Sequence, residues 1–370
     1  MQVIVAGGGV AGAVSAIALR RIGADVTVYE SYPDPAGSIG AFLSLASNGL
    51  RALDAVGGLE AVRACGRAVP TQQFWSSTGR LLGETPRGRR SGDPMHSITL
   101  RRGDLVAALR EQARQAGAEI VTGERVVGAT DTGDRVRVEL AGGATVDTDL
   151  LVGADGIWST IRTVLDTAAP RPTYAGLYSV SGTATIDADP GAFIHVDAGD
   201  GTVWWSAQVA EPTPPDLTTV DLDLLLDRYR HDERAVRVLS AAIAMQRPTL
   251  DHVLGPVPTW RGDRIVLVGD AAHPVGAGQG ASMAIEDAVV LAQRLADGPV
   301  PAALAAYEQA RRPRITKVLK AGRDNRAMKT HGPVRRRLND TVMSFGLKHF
   351  YEKATGWLYA YDVGPLPVPA

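Results

Sequence analysis

The chain has 370 residues, 45% of them hydrophobic and 21% charged, which suffices for one large core or two interleaved ones. A formal net charge of −1 carries no electrostatic footprint for nucleic acid or an anionic membrane as the main partner. Cys65 is the single cysteine, so an internal disulfide is excluded; with no basic leader before the first glycines and no uncharged stretch of membrane-spanning length, a cytoplasmic location is expected.

Val3–Ala6 is a short apolar, β-branched run that reads as a buried strand. Glycines follow at 7, 8, 9 and 12, and Ala13–Ile22 reads as a small-residue helix closed near Gly23. Asp25–Glu30 alternates as a second strand and completes a βαβ unit. Gly7, Gly9 and Gly12 carry the G-x-G-x-x-G spacing. Gly7 permits the tight turn, Gly9 lets a pyrophosphate approach the backbone, and Gly12 lets helix and strand pack closely. The helix start at Val10 and Ala11 offers free N–H groups and a positive dipole end to phosphates. Glu30 ends the second strand, where its carboxylate accepts from a ribose hydroxyl and disfavours a 2′-phosphate. The motif therefore selects FAD or NAD over NADP and leaves those two open.

Leu105–Gln115 has helical periodicity up to Gly117, and Glu119–Thr122 is a strand candidate. Arg135–Leu140 and Thr145–Asp149 read as a hairpin turning at Gly142-Gly143. Leu150–Val152 is another buried strand, running into Gly153-Ala154-Asp155-Gly156. From about Ala168 to Pro258 prolines recur, with strand-like runs at Tyr178–Ile186 and Thr202–Gln208 and helix-like runs at Asp221–His231 and Glu233–Met245. This stretch reads as an α+β insert. A buried strand returns at Arg264–Val268. A helical tract follows from Ala281 to about Arg326, broken by Gly298, Pro299 and Pro301. Its basic run Arg311–Arg314, and a second at Arg335–Arg337, read as solvated helix faces.

Two later segments repeat the logic of the first. In DLLVGADGIWSTIR (Asp149–Arg162), Asp155-Gly156 sits just past a strand, with Ser159 and Arg162 on the helix that begins there. Asp155 and Arg162 could equally form a structural ion pair. In the segment that opens at Arg264, Gly269-Asp270 ends a strand, and a loop with Gly276, Gly278 and Gly280 leads into a helix.

Three such segments in this order resemble the group A flavoprotein monooxygenases, the p-hydroxybenzoate hydroxylase-like enzymes. The resemblance covers most of the nucleotide segments and a Trp-Leu-Tyr-x-Tyr-Asp stretch at Trp357–Asp362. It implies an α/β fold: a Rossmann-like FAD/NAD(P)-binding domain with an inserted α+β substrate domain, whose β-sheet lies over the flavin, and C-terminal helices. The FAD-binding domain would be discontinuous (1–70, 98–170 and 259–333), the substrate domain would take 71–97 and 171–258, and 334–370 would form a helical tail. It also implies non-covalent FAD, NADH or NADPH as a transient co-substrate, and O₂. Oxygen would pass from a flavin C4a-hydroperoxide to a small aromatic or polyketide-like molecule, in a monomer or homodimer.

By the same resemblance Asp270 would meet the ribityl chain, and the backbone around Gly278, Gln279, Gly280, Ala281 and Ser282 would face the flavin N1–C2=O edge. A helix N-terminus there suits the negative charge of reduced flavin. Arg102, or its neighbour Arg101, would pair with the FAD phosphates. Asp155-Gly156 would face FAD and the pyrophosphate of the nicotinamide coenzyme.

The chain departs from the family pattern at two places. Only Pro274–Ala277 separates His273 from the final Gly-x-Gly, and Pro274 falls too early for the proline usually beside the flavin C4a atom. Ser181 stands where relatives place an arginine, which implies a less positive pocket. Tyr178, His195, Trp205 and Gln208, on or near the insert strands, are the pocket candidates, with Pro274. Seven scattered histidines show no zinc spacing and no G-x-S-x-G elbow occurs, so neither a metal site nor a hydrolase triad is expected. The alternative readings are an FAD-dependent dehydrogenase or reductase on the same scaffold without oxygen insertion, and a nonenzymatic FAD carrier.

Overall fold

The computed structural model describes residues 1–33, 42–76, 79–185, 194–275, 278–329 and 344–367, with the backbone alone for 323–329. The N-terminal unit is β1 (Gln2–Ala6), α1 (Val10–Arg21) and β2 (Asp25–Glu30), with β1 and β2 parallel. Its glycines explain the tight packing. Gly7 has φ +97°, and a Cβ at Gly12 would lie 1.8 Å from the Gly7 carbonyl oxygen.

The chain continues through β3 (Phe42–Leu45), α2 (Ser47–Ala55), α3 (Leu59–Cys65), β4 (Arg67–Val69), β5 (Thr71–Trp75), β6 (Leu81–Pro86) and β7 (Ser97–Arg101). Sheet β3-β7-β4 and the ribbon β5-β6 are antiparallel. Then come α4 (Arg102–Gln115), β8 (Glu119–Thr122), β9 (Val126–Asp131), β10 (Val136–Leu140), β11 (Thr145–Thr148), β12 (Leu150–Gly153) and α5 (Thr160–Leu165). The expected hairpin is β10-β11, and β9 joins its other side.

The insert contains β13 (Thr173–Ala184), β14 (Ile194–Asp197), β15 (Val203–Ala210), α6 (Leu222–Tyr229), α7 (Glu233–Ser240), β16 (Ala242–Met245) and β17 (Thr249–Val253). The single helix expected over Glu233–Met245 stops at Ser240, because Ala242–Met245 pairs antiparallel with Gly182–Ala184 of β13. Asp221 and Asp232 cap α6 and α7 by accepting from Leu224 N and Ala235 N. Ile186, expected to end the β13 run, lies outside the described residues. The chain closes with β18 (Ile265–Leu267), the turn Gly269–Ala271, α8 (Gly280–Ala296), α9 (Val300–Lys329) and a C-terminal helix, Tyr351–Tyr359. The break between α8 and α9 spans Asp297–Pro299. Pro301 does not interrupt α9, since the first helical turn tolerates proline. The basic run at 335–337 lies outside the described residues.

Strand order in the parallel sheet is β18-β12-β1-β2-β8. The chain winds outward from β1 through β2 to β8 on one side and through β12 to β18 on the other. The switch point beside β1 opens a crevice at the carboxyl ends of the strands, which is where open α/β sheets bind ligands. Helices α1, α4 and α8 bury this sheet in one core. A separate core forms where one face of sheet β14-β15-β13-β16 packs on α6 and α7. No helix among the described residues is long and apolar enough to cross a membrane.

Candidate cofactor cleft

Four strand ends meet at the crevice: Gly7 after β1, Glu30 at the end of β2, Asp155 after β12 and Asp270 after β18. The start of α1 carries no side-chain cap, so the amides near Val10 and Ala11 are left for an external acceptor. A Cβ at Gly9 would meet nothing within 4 Å, which leaves that approach to the backbone open.

Glu30 is mostly buried, and both of its oxygens meet protein donors. Its Oε2 accepts from Gly8 N at 2.8 Å and from Arg110 Nη2 at 2.9 Å, and its Oε1 accepts from Tyr32 N at 3.0 Å. Arg110 also donates from Nε to Gly8 O at 2.5 Å. This arginine, 1% exposed, ties α4 to the glycine turn and was not singled out from sequence. The signal was present, since Arg110 follows Leu105, Val106 and Leu109 in the apolar stripe of α4.

The two neighbouring arginines point to different places. Arg101 ends β7, and its guanidinium lies 5.6 Å from the Trp204 ring. Arg102 opens α4 close enough to Asp270 for its charge to pull that carboxyl down. Asp270 faces the open cleft, while protein crowding its other sides pushes its carboxyl up; the charge of Arg102 opposes that rise.

Asp155 Oδ2 accepts from Thr160 N at 2.7 Å and Ile161 N at 3.1 Å, and Ser159 caps α5 through Arg162 N. The Asp155–Arg162 ion pair does not form. Arg162 instead donates to Ala271 O at 3.0 Å and Ile157 O at 2.7 Å, joining the second segment to the turn that carries Asp270. Burial pushes the Asp155 carboxyl up, against hydrogen bonds from Ser159 and the α5 amides. Its Oδ1 is buried without a partner.

Gln279 precedes α8, whose start has no side-chain cap, and Gly280 lies beside Asp270: a Cβ there would be 3.7 Å from Asp270 Oδ1. The amides of Gly280 and Ala281 thus begin a 17-residue helix next to Asp270. The side chain of Ser282 turns the other way, into the α2 contact, where a Cβ at Gly49 would lie 2.5 Å from its Oγ. Gly278 adopts φ +73° ahead of the helix. Gly276 and Ala277, half of the shortened loop, lie outside the described residues.

Behind the cleft lies a buried ionic network. Arg311 and Arg314 do not form a solvated face: Arg311 is 0% exposed and the Arg314 side chain 8%. Arg311 donates to Asp287 Oδ1 at 2.8 Å and Glu286 Oε2 at 2.7 Å, and Arg314 holds both oxygens of Glu286 at 2.7 Å. Burial works against the charge of Arg311, but Asp287 and Glu286 outweigh it and raise its pKa above the ordinary value. Asn48 of α2 donates to Glu286 at 2.8 Å and reaches Gln279 Oε1 at 3.5 Å. The network therefore touches the residue that opens α8.

The insert sheet shows two faces, as strand alternation requires. Tyr178 and Trp205 belong to the second core, against α6 and α7, and so do not line the cleft side. His195 opposes Trp205 in register and shares that face. On the other face Trp204 stacks on Phe42 of β3, with ring centroids 6.1 Å apart. Ser181 and Ser206 pair through their hydroxyls at 3.1 Å, and Ser179 and Gln208 both donate to Asp251, at 2.9 and 2.7 Å. Of the four strand candidates only Gln208 lies on this polar face. Pro274 is half-buried and lines a cavity of about 60 Å³ together with His273, Trp260 and Arg312.

A family model described as "FAD binding domain" matches residues 1–322. The chain is 33% identical over 333 residues to the aurachin C monooxygenase/isomerase of Stigmatella aurantiaca, covering 84% of this chain and 85% of that one. It is 30% identical over 394 residues to the 3-hydroxybenzoate 6-hydroxylase of Klebsiella oxytoca, covering 98% and 97%. Among solved structures, an FAD complex of HpxO from Klebsiella pneumoniae shares the fold, with a TM-score of 0.83 over 99% of this chain and 100% of that one, at 24% identity. A salicylate hydroxylase substrate complex does likewise, with a TM-score of 0.82 over 100% and 98% at 22% identity.

Proposed function

The chain belongs to the FAD-binding-domain family and is a group A, FAD-dependent monooxygenase; from this premise we propose that it oxygenates a small aromatic or polyketide-like molecule, with NADH or NADPH as electron donor and O₂ as oxidant. The observation that carries the proposal is the convergence of Gly9, Glu30, Asp155 and Asp270 at neighbouring strand ends of one parallel sheet. FAD, when bound, supplies the hydride acceptance and oxygen activation that no side chain here provides.

The roles we assign to the protein follow from geometry. The uncapped start of α1, with Gly7, Gly9 and Gly12, receives the pyrophosphate, and Glu30 takes the adenosine ribose. Arg102 adds positive charge on the phosphate side. Asp270, exposed beside the start of α8, accepts from the ribityl hydroxyls. The start of α8 stabilises negative charge at its amides, an effect of about 0.3–1 kcal/mol when exposed and up to about 2 kcal/mol when partly buried. The inner face of the insert orients the substrate. Ser181, Ser206, Ser179 and Gln208 offer hydroxyl and amide groups, and Trp204 offers an aromatic surface. A face of this kind suits a neutral phenol or a heteroaromatic ring better than a carboxylate. The reading includes the discontinuous division between nucleotide and substrate domains, and a cytoplasmic monomer or homodimer.

The test is a screen of NADH and NADPH oxidation across aromatic and polyketide-like compounds, with product mass spectrometry under ¹⁸O₂. One labelled oxygen per product is expected. An oxidised product without label would overturn oxygen insertion and select a dehydrogenase. No nicotinamide oxidation with any compound would leave the FAD carrier.

A further inference from the structure

The turn that presents Asp270 is three residues long, Gly269–Ala271, and begins at φ +58°. It is wedged between two helices: a Cβ at Gly269 would lie 3.0 Å from Ala11 of α1 and 3.1 Å from Ala284 of α8. The amides of Ala272 and His273 bond back to Gly269 O, which shapes the turn without anchoring it. Arg162 holds its last carbonyl, at Ala271, and a second anchor comes from Asp287 in α8. Its Oδ2 accepts from Gly269 N at 2.9 Å and lies 2.6 Å from His273 Nε2, so one oxygen grips the turn at its first residue and just beyond its last. Its other oxygen takes Arg311 Nε at 2.8 Å, and all three side chains are 0–1% exposed.

His273 Nδ1 is buried without a partner. Placing the proton on Nε2 satisfies this arrangement: it supplies the donor to Asp287 and leaves only a lone pair at Nδ1. A proton on Nδ1 alone would set a ring lone pair against a carboxylate, and a doubly protonated ring would bury an unpaired N–H.

We propose that the Asp287–His273 pair, backed by Arg311, is the positioning device of the flavin site. It fixes where Asp270 stands without touching the cofactor itself. A charge-assisted hydrogen bond of this type sets the turn against the packing of α1 and α8, so its loss lets Asp270 drift from the ribityl position while the rest of the nucleotide core keeps its contacts.

Two substitutions separate positioning from general support. His273→Leu keeps bulk but removes the N–H, whereas His273→Gln carries an N–H to about the same reach. Apo forms of both, beside the wild type, are titrated with FAD by flavin fluorescence, and their melting is recorded without FAD. The Leu variant is expected to bind FAD about tenfold or more weakly, and the Gln variant to recover to within about threefold of wild type, in line with one charged hydrogen bond. Equal FAD affinities for the two variants, with melting lowered alike, would overturn the proposal. Wild-type binding in the same titration tests the family assignment separately. Should the Leu variant not fold, ¹⁵N NMR of the wild-type histidine rings decides, with His273 assigned by its absence in the Gln variant. An Nε2-protonated ring whose signals move on FAD saturation is expected; a ring that does not respond to FAD refutes the role.

Discussion

A Cβ added at Gly9 meets nothing within 4 Å, whereas one at Gly12 would lie 1.8 Å from the carbonyl oxygen of Gly7. The same motif thus holds one glycine for the ligand and one for the fold, and a pair of variants distinguishes them. Gly9→Val should leave stability within about 0.5 kcal/mol of wild type, as a substitution into open space does. It should weaken FAD binding by more than about tenfold, because the side chain fills the pyrophosphate's approach. Gly12→Val should cost at least about 1–3 kcal/mol through overpacking, with FAD binding lost as a consequence. Urea unfolding of the apo proteins, with flavin titration, checks both; equal stabilities would refute the division. At this scale the glycines were legible because only glycine serves at such turns, and Glu30, Asp155 and Asp270 because each ends a strand. Arg110 was not, because an arginine on a helix is ordinarily solvated and its partners, Gly8 O and Glu30, lie far away in sequence.

At the scale of elements the difficulty is choosing a face. The β15 alternation was legible, but which of two adjacent tryptophans turned into the second core was not. That choice depends on where α6 and α7 pack, and packing places Trp205 in the second core and Trp204 against Phe42. Trp205→Ala should therefore cost about 3–5 kcal/mol, as large aromatic truncations in cores do. Trp204→Ala should cost no more than about 1–2 kcal/mol and raise the KM for the aromatic substrate with little change in FAD affinity. Reversed effects would refute the assignment of faces. The run Arg311–Arg314 raised the same difficulty. Its arginines are buried because Glu286 and Asp287 stand in the facing α8, a pairing that helix periodicity alone does not reveal. Arg311→Leu should cost about 3–5 kcal/mol, since it leaves two carboxylates buried with one cation fewer. A loss below about 1 kcal/mol by urea unfolding would show that the network carries little of the stability. The stretch from β3 to β7 left no sequence signal for a simple reason: most of its elements are three to seven residues long, too short for a period to register.

For the whole molecule, the site is assembled from distant parts of the chain. Gly7–Gly12, Glu30, Arg102, Asp155, Asp270 and the start of α8 span most of the sequence, yet they meet along one edge of one sheet. The edge was legible because each segment repeats a strand followed by a turn; the strand order that brings the segments together was not, since pairing is non-local. A ligand bound at such an edge contacts elements that are otherwise joined only by sheet pairing and helix packing, so it should stabilise the nucleotide core as a unit. FAD at about one hundred times its Kd adds about 2.7 kcal/mol by mass action. With an unfolding entropy of about 2.1 cal/mol/K per residue, that predicts a rise in melting temperature of about 3.5 °C for a chain of this length. Differential scanning calorimetry of the apo protein with and without FAD measures it, and Gly9→Val supplies the control, because its fold is expected to be intact while its pyrophosphate approach is filled. A rise in the wild type and none in Gly9→Val fits binding at the strand ends. An equal rise in both would place the stabilising FAD elsewhere, and no rise in the wild type would break the link between this edge and the cofactor.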